Sequence, residues 1–370
     1  MSHNRLSIIM PNLLTWDGKK PVTGGLERYV WNLLALLKEM GISPDVHQNG
    51  SFDWEREVNG INIRGYGMAR IAIEAAIQEI HGNTDRVFYA SIIYHPTLYK
   101  PDSVVISHGV WWDSSNYDPV ANLAICRQAL EQAKTVVSCD YNFLNVMRAT
   151  LPTLSHKIEV IPNFADLELF KPRQALKVKD GGDITILFPR RLDICRGIDL
   201  FLNAGIRIVK KHPGVKLHLA VDTNHPEFNR VVNEYINSTQ EKNRIITGSY
   251  SFEDMPEVYA TADIVVIPSI FSEGTSFSCL EAMASGCTLV VTNVGGLTNL
   301  IIDGYNGLII KPDENELVHA LETLIANPRL RLNLSRNARS VAESFSLNLW
   351  KERWRKIIRE VYPDLVSPVF

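Results

Sequence analysis

The sequence predicts an α/β protein of two doubly wound domains, each on its own parallel sheet, with a cleft between them. Three observations carry this expectation. Short β-branched runs alternate with longer segments of helical spacing, as strands do when crossover helices cover both faces of a sheet. The alternation lapses near the middle of the chain and then restarts. The chain's 370 residues also exceed what one core ordinarily supports and suit two.

Taken in order, the strand-like runs are residues 6–10, 104–107, 135–138 and 158–161, then 184–188, 216–221, 264–268 and 288–292. Between Gly25 and Gly41, Leu26, Val30, Leu33, Leu34, Leu37 and Met40 fall at three-and-four spacing. That is one helix face, closed by a glycine suited to a left-handed cap. Residues 171–183 lack periodicity and mix charge with glycine, as a linker would. The expected domains are therefore residues 1–170, joined by the tail 347–370, and 183–346. The tail, 347–370, opens with a helix to 362 whose stripe of Trp350, Trp354, Ile357, Ile358 and Val361 would pack back across both domains.

Composition bounds the function. With 45% hydrophobic, 21% charged and 9% aromatic residues, the chain has a globular profile rather than a disordered or fibrous one. A net charge of −3 disfavours a nucleic-acid partner, which usually demands a large positive excess. The five cysteines, Cys126, Cys139, Cys195, Cys279 and Cys287, are odd in number and lack C-x-x-C spacing, so neither a disulfide framework nor a zinc ribbon is suggested. The ten histidines form no H-x-x-x-H or H-E-x-x-H pattern and no D-x-D follows a strand, so no metal is expected. Absence of a signal-like or membrane-length apolar run makes a cytoplasmic setting the simplest reading, with peripheral contact at the inner face of a membrane left open.

The densest chemistry lies in residues 268–287. A strand ends in a polar loop with Glu273-Gly274, and a helix then starts near Thr275, Ser276 and Phe277. Unpaired N–H groups and the helix dipole make an anion site at the carboxyl end of a parallel strand. Glu273 in the loop and Glu281 on the helix look placed to hold two ends of an extended ligand. Against this, Ser278-x-x-Glu281 also spells a capping box, and Glu273 reads equally as a solvated loop acid. Arg190, Arg191 and Arg196 follow the strand 184–188 and suit a diphosphate, since guanidinium groups are forked and permanently charged; surface ion pairing is the plain alternative. In the first domain, Gly24-Gly25 opens the amphipathic helix and permits close backbone approach, although most such pairs merely punctuate loops. His108 stands at a strand end, where it reads either as a hydroxyl ligand or as a satisfied structural histidine. Trp111-Trp112 beside it reads equally as acceptor wall and as packing.

Together these segments resemble the nucleotide-sugar glycosyltransferases of family 4, retaining enzymes of the GT-B fold, over most of the chain and most strongly from 158 to 310. Val160-Ile-Pro-Asn-Phe-Ala-Asp166 is similar to that family's entry into the second domain, and Arg191-Leu-x-x-x-Arg196-Gly197 to its phosphate motif. Glu273-x7-Glu281 followed by Ala-Met-Ala-Ser-Gly286 matches its E-x7-E signature, and Gly295-Gly296 with Asp303-Gly-Tyr-Asn-Gly307 continues the block. The resemblance implies two Rossmann-like domains, the first binding the acceptor and the second the donor. It implies that Glu281 binds the ribose, Glu273 the donor sugar, and Arg191 and Arg196 the diphosphate. Gly24, Gly25 and the loop of Gly274, Thr275, Ser276 and Phe277 would assist, and His108 would contact the sugar. Arg196 replaces the usual Lys, Thr275-Ser276 a bulky residue followed by Gly, Asn299 a frequent Glu, and Asp222-Thr223 a Gly-rich turn. These departures bear on donor base and sugar rather than on the fold.

The expected reaction is metal-independent transfer of a sugar from a nucleoside diphosphate sugar to an acceptor hydroxyl with retention, in glycan or glycoconjugate assembly. No cofactor is implied. A sugar-nucleotide epimerase and a silent nucleotide-sugar-binding subunit are the rivals; a dinucleotide oxidoreductase is weakened by the absence of G-x-G-x-x-G. Glycan, lipid-linked and small-molecule acceptors all remain open.

Overall fold

The computed structural model describes residues 5–67, 86–92, 99–109, 119–172, 183–221, 226–271 and 273–365. Its contacts divide into two compact units, Met1–Pro162 with Asn348–Phe370, and Asn163–Leu347. Trp111, Trp112, Asp222, Thr223 and the core of the expected linker (173–182) lie outside the described residues.

The first unit is built on an 8-stranded sheet. Its strands are β1 (Arg5–Ile9), β2 (Ser43–Asn49), β3 (Trp54–Val58), β4 (Ile61–Tyr66), β5 (Val87–Tyr89), β6 (Val104–Ser107), β7 (Thr135–Ser138) and β8 (Ile158–Val160). Their order is β3-β4-β2-β1-β5-β6-β7-β8, and every pair is parallel except β3 with β4. β5, β6 and β7 are buried throughout, which is why their sequences are continuous rather than alternating apolar runs. Helix α1 (Gly25–Glu39) buries Tyr29, Val30, Leu33, Leu34 and Leu37, and Gly41 beyond it adopts φ +75°, the left-handed conformation the sequence suggested. Helices α2 (Pro119–Gln132) and α3 (Tyr141–Thr150) follow, the latter capped by the Asp140 carboxylate accepting from Phe143 N–H at 2.8 Å.

The second unit carries a 6-stranded, wholly parallel sheet: β9 (Ile184–Phe188), β10 (Val215–Ala220), β11 (Ile245–Gly248), β12 (Ile264–Ile267), β13 (Thr288–Thr292) and β14 (Leu308–Ile310), in the order β11-β10-β9-β12-β13-β14. Its helices are α4 (Ile198–Lys211), α5 (Pro226–Ser238), α6 (Met255–Thr261), α7 (Phe277–Ala284), α8 (Glu314–Ala326) and α9 (Pro328–Glu343). Alternate residues of one strand feed two apolar layers. Ile186, Phe188, Val266 and Val290 join Phe201, Leu217 and Leu321, while Leu187, Val265, Ile267 and Val291 join Leu280 and Met283. Winding from β9 runs outward to β10 on one side and restarts at β12 on the other. The switch point therefore lies between β9 and β12, and a crevice at their carboxyl ends is where such sheets bind ligands.

One boundary shifts. Residues 163–170, read with the first domain, pack within the second unit. Ala165 and Phe170 are buried in its core, and the backbone pairs with the far end of the unit (Ala165 N–H to Phe345 O, 2.9 Å; Leu347 N–H to Ala165 O, 3.0 Å). Apolar spacing there outweighs proximity to the linker. The tail helix, α10 (Leu347–Val361), groups from Asn348 onward with the first unit. Trp350 and Trp354 are buried against Tyr29, Trp354 Nε1–H donates to the Tyr29 hydroxyl at 2.9 Å, and Lys351 and Arg355 both reach Glu39. No helix among the described residues is long and apolar enough to cross a membrane.

Candidate functional site

The crevice is formed by two loops held together by glycines. β9 runs into Pro189, Arg190 and Arg191, then a 3₁₀ turn (Ile194–Arg196) opened by Asp193, whose carboxylate accepts from Cys195 N–H. Gly197 follows with φ +77°, and a Cβ there would stand 1.8 Å from the Pro268 carbonyl oxygen. Only glycine lets this loop press on the one after β12, and Ile270 N–H donates to Cys195 O at 3.0 Å to join them. On the other side, Gly295 (φ +50°) would place a Cβ 2.1 Å from Glu273 O, and Gly296 N–H donates to that same oxygen at 2.6 Å. The sequence's Gly295-Gly296 is thus the backing of the Glu273 loop.

Inside this frame the side chains converge on one atom. Glu273 Oε2 accepts from Arg190 Nη2 at 2.7 Å, Arg196 Nη1 at 2.5 Å and Ser269 Oγ at 2.8 Å. Burial opposes the charge of Glu273, but the two guanidinium groups overcome it and hold the carboxyl at about 2. Glu273 is not a solvated loop acid; its side chain is 10% exposed. Arg190, one of the three arginines suited to a diphosphate but given no role by the resemblance, is the more enclosed of the two on Glu273, 7% exposed, and it also donates to Ser276 Oγ at 3.2 Å. Burial lowers its pKa, and Glu273 opposes that shift. Arg191, which the phosphate motif put first, is exposed and outside this cluster.

α7 begins beside the cluster. Its cap is Ser276, whose hydroxyl accepts from Cys279 N–H at 3.4 Å, so the capping box on Ser278 does not form. Ser278 instead donates to Pro189 O, and Glu281 Oε2 accepts from the Tyr259 hydroxyl on α6 at 2.9 Å, both ends being buried. Asn163 anchors the preceding residue. Its backbone N–H donates to Thr275 Oγ1 at 2.8 Å and its side-chain amide to Thr275 O at 2.6 Å, while Phe164 meets Phe277 edge-on. Glu273, Gly274, Thr275, Ser276, Phe277, Arg196 and Glu281 therefore stand on the same pair of adjoining loops and the helix they open.

In the first unit, Gly24 is the extended cap of α1, and the Glu27 carboxylate lies where a Cβ on Gly24 would be, 2.2 Å from it. An acidic group thus already faces the amino-terminal end of α1 at Gly24 and Gly25. His108 follows β6. Its Nε2 is 2.8 Å from Ala90 O, beyond β5, and a carbonyl can only accept, so Nε2 carries the proton and Nδ1 is left as an acceptor. Burial holds its pKa down at about 4, and its ring meets Tyr29 edge-on at 4.9 Å. Among the described residues no group of three or more His, Cys, Asp or Glu side chains is placed to hold a metal.

Residues 172–341 match the family model of glycosyl transferases, group 1. Curated relatives include D-inositol 3-phosphate glycosyltransferase of Rhodococcus erythropolis, 27% identical over 202 residues (51% of this chain, 45% of that protein). Another is alpha-D-kanosaminyltransferase of Streptomyces kanamyceticus, 27% identical over 255 residues (66% and 64%). The chain spans about half the length of the D-inositol 3-phosphate glycosyltransferases it matches. Among solved structures, sucrose-phosphate synthase from Thermosynechococcus elongatus superposes with a TM-score of 0.78 at 18% identity, covering 97% of this chain and 99% of that one. Anabaena HepE in complex with UDP-glucose gives 0.76 at 16% identity (96% and 99%). The fold is that of the GT-B glycosyltransferases, two Rossmann-like α/β domains.

Proposed function

We propose that this chain is a retaining nucleotide-sugar glycosyltransferase, moving a sugar from a nucleoside diphosphate to an acceptor hydroxyl without a metal ion. The observation that carries the reading is the pair of guanidinium groups on Glu273 beside the start of α7, at the switch point of the second sheet. The group 1 match across the same segment supports it.

As the sugar–phosphate bond breaks, negative charge grows on the diphosphate. Arg196, the exposed Arg191 and the N–H groups around Thr275, Ser276 and Phe277 would meet that charge, each well-placed donor contributing roughly 3–4 kcal/mol. They take the part that a divalent ion plays elsewhere. Glu281 would hold the ribose and Glu273 the sugar hydroxyls. In the first unit, Gly24 and Gly25 would offer backbone N–H groups, and neutral His108 would accept a sugar hydroxyl proton at Nδ1. Glu273 is a poor covalent nucleophile or base, because three donors saturate one oxygen and its carboxyl titrates at about 2. Front-face attack, with the departing phosphate taking the acceptor proton, fits that weak basicity. UDP-sugars are the first donors to try, since HepE is described in complex with UDP-glucose. Glycan or glycoconjugate assembly supplies the acceptor class.

The test is incubation with UDP-, ADP- and GDP-sugars, with and without EDTA. Nucleoside diphosphate release with loss of the sugar is expected, undiminished by EDTA. An isomerised donor points to an epimerase, binding without turnover to a silent subunit, and activity that EDTA abolishes and Mn²⁺ restores overturns metal independence. Glu281→Ala should raise the donor KM; a defect in kcat alone contradicts the ribose assignment.

A further inference from the structure

We infer that Arg190 is the fixed counter-ion of Glu273, a positioning residue, and that Arg196 is the cation this cluster releases to the donor diphosphate. The inference rests on the donor reading above. Both guanidinium groups meet the same oxygen, Glu273 Oε2, yet their settings differ. Arg190 is 7% exposed and its second arm holds Ser276 Oγ, the cap of α7. Moving it would strip a buried carboxylate and a helix cap together. Arg196 is 23% exposed and sits on the 3₁₀ turn before Gly197. Moving it breaks the more exposed of the two ion pairs and leaves Glu273 with Arg190.

Charge requires such a division. One carboxylate against two guanidinium groups leaves the empty cluster with a single positive charge. A donor diphosphate carries two negative charges; the exposed Arg191 can meet one, and the cluster's own surplus reaches the other only through an arginine that Glu273 already engages. If Arg196 turns to the phosphate, Glu273 stays ionised only because Arg190 remains. The other groups facing this network are uncharged: Ser269 Oγ from the loop after β12, the Cys279 thiol on α7, whose pKa burial raises, and Tyr259 on α6, whose hydroxyl is committed to Glu281. Without Arg190, donor binding would leave a carboxylate facing a diphosphate, and the site would take up a proton to relieve it.

The test has two arms. In a crystal of the wild type with UDP-glucose, Arg190 should keep Glu273 and Ser276 while Arg196 contacts a diphosphate oxygen. Arg190 on the phosphate, or Arg196 still on Glu273, overturns the inference while leaving the donor reading standing. The second arm is UDP-glucose affinity against pH for the wild type, Arg190→Gln and Arg190→Lys; the ligand's diphosphate diester has no group titrating in that range. From about pH 5 to about pH 8 the wild type and Arg190→Lys should change less than ~3-fold, whereas Arg190→Gln weakens at least ~10-fold, since its complex binds an extra proton. Parallel profiles for wild type and Arg190→Gln overturn the inference. If Arg190→Gln does not fold, the crystal alone decides. If the wild type binds none of UDP-, ADP- or GDP-glucose, the donor reading fails and takes this inference with it.

Discussion

At the residue scale, two arginines adjacent in sequence have opposite fates. Arg190 is buried on Glu273 and Arg191 is exposed. If Arg191 meets the leaving diphosphate, Arg191→Ala should lower turnover at least ~100-fold with little change in Tm; near-normal turnover removes it from the mechanism. The titrating groups predict a pH dependence of stability. Glu273 is held at about 2, below its ordinary 4.5, so its contribution is full above about 4.5 and lost as pH falls toward about 2. His108 and His47 are both held down at about 4 by burial, with Arg64 adding to the shift at His47. The unfolded chain protonates them first, so stability should decline as pH falls from about 6.5 to about 4. Urea midpoints measured across that range should flatten in a His47→Gln, His108→Gln double variant; an unchanged slope contradicts the burial argument. The two carboxylates of the site were legible because their spacing survives in one dimension. Arg190 was not. Pro189 follows the end of β9, the two-residue alternation stops there, and nothing in Arg-Arg tells which side chain turns inward.

At the scale of elements, β9, β10, β12 and β13 of the second sheet were legible to within a residue because they are largely buried and β-branched runs have no other use, whereas the shorter, half-exposed β11 and β14 went unread. The edge strand β3 and its neighbour β4 went unread, as did β2 and β5: β3 is largely exposed, and its antiparallel turn at Asn59-Gly60 interrupts the βα rhythm. The contact of the two site loops was also out of reach, because its cause is a missing Cβ. Gly197→Ala tests that cause. It would meet Pro268 O and force φ +77° on alanine, costing at least ~2 kcal/mol and separating the loops, so both Tm and donor affinity should fall. Wild-type affinity in a folded Gly197→Ala protein would show that the loops do not need this contact.

At the scale of the molecule, the second unit is one continuous stretch of chain, whereas the first is split, its core completed by α10. Deleting residues from 347 onward removes Trp350 and Trp354 from Tyr29 and Phe88. Loss of two buried tryptophans, each worth ~3–5 kcal/mol, exceeds much of a domain's usual stability. The first unit of the truncated protein should therefore unfold while the second keeps a cooperative transition, a result that circular dichroism melting and limited proteolysis would check. A single transition with the wild-type Tm would contradict it. The split has a consequence for biosynthesis. Emerging from the ribosome, residues 163–347 can collapse as soon as they clear the exit tunnel, but the first unit must wait for α10, which is translated after them. In this protein the amino-terminal half finishes folding second, and any chaperone that guards the nascent chain has its longest task there.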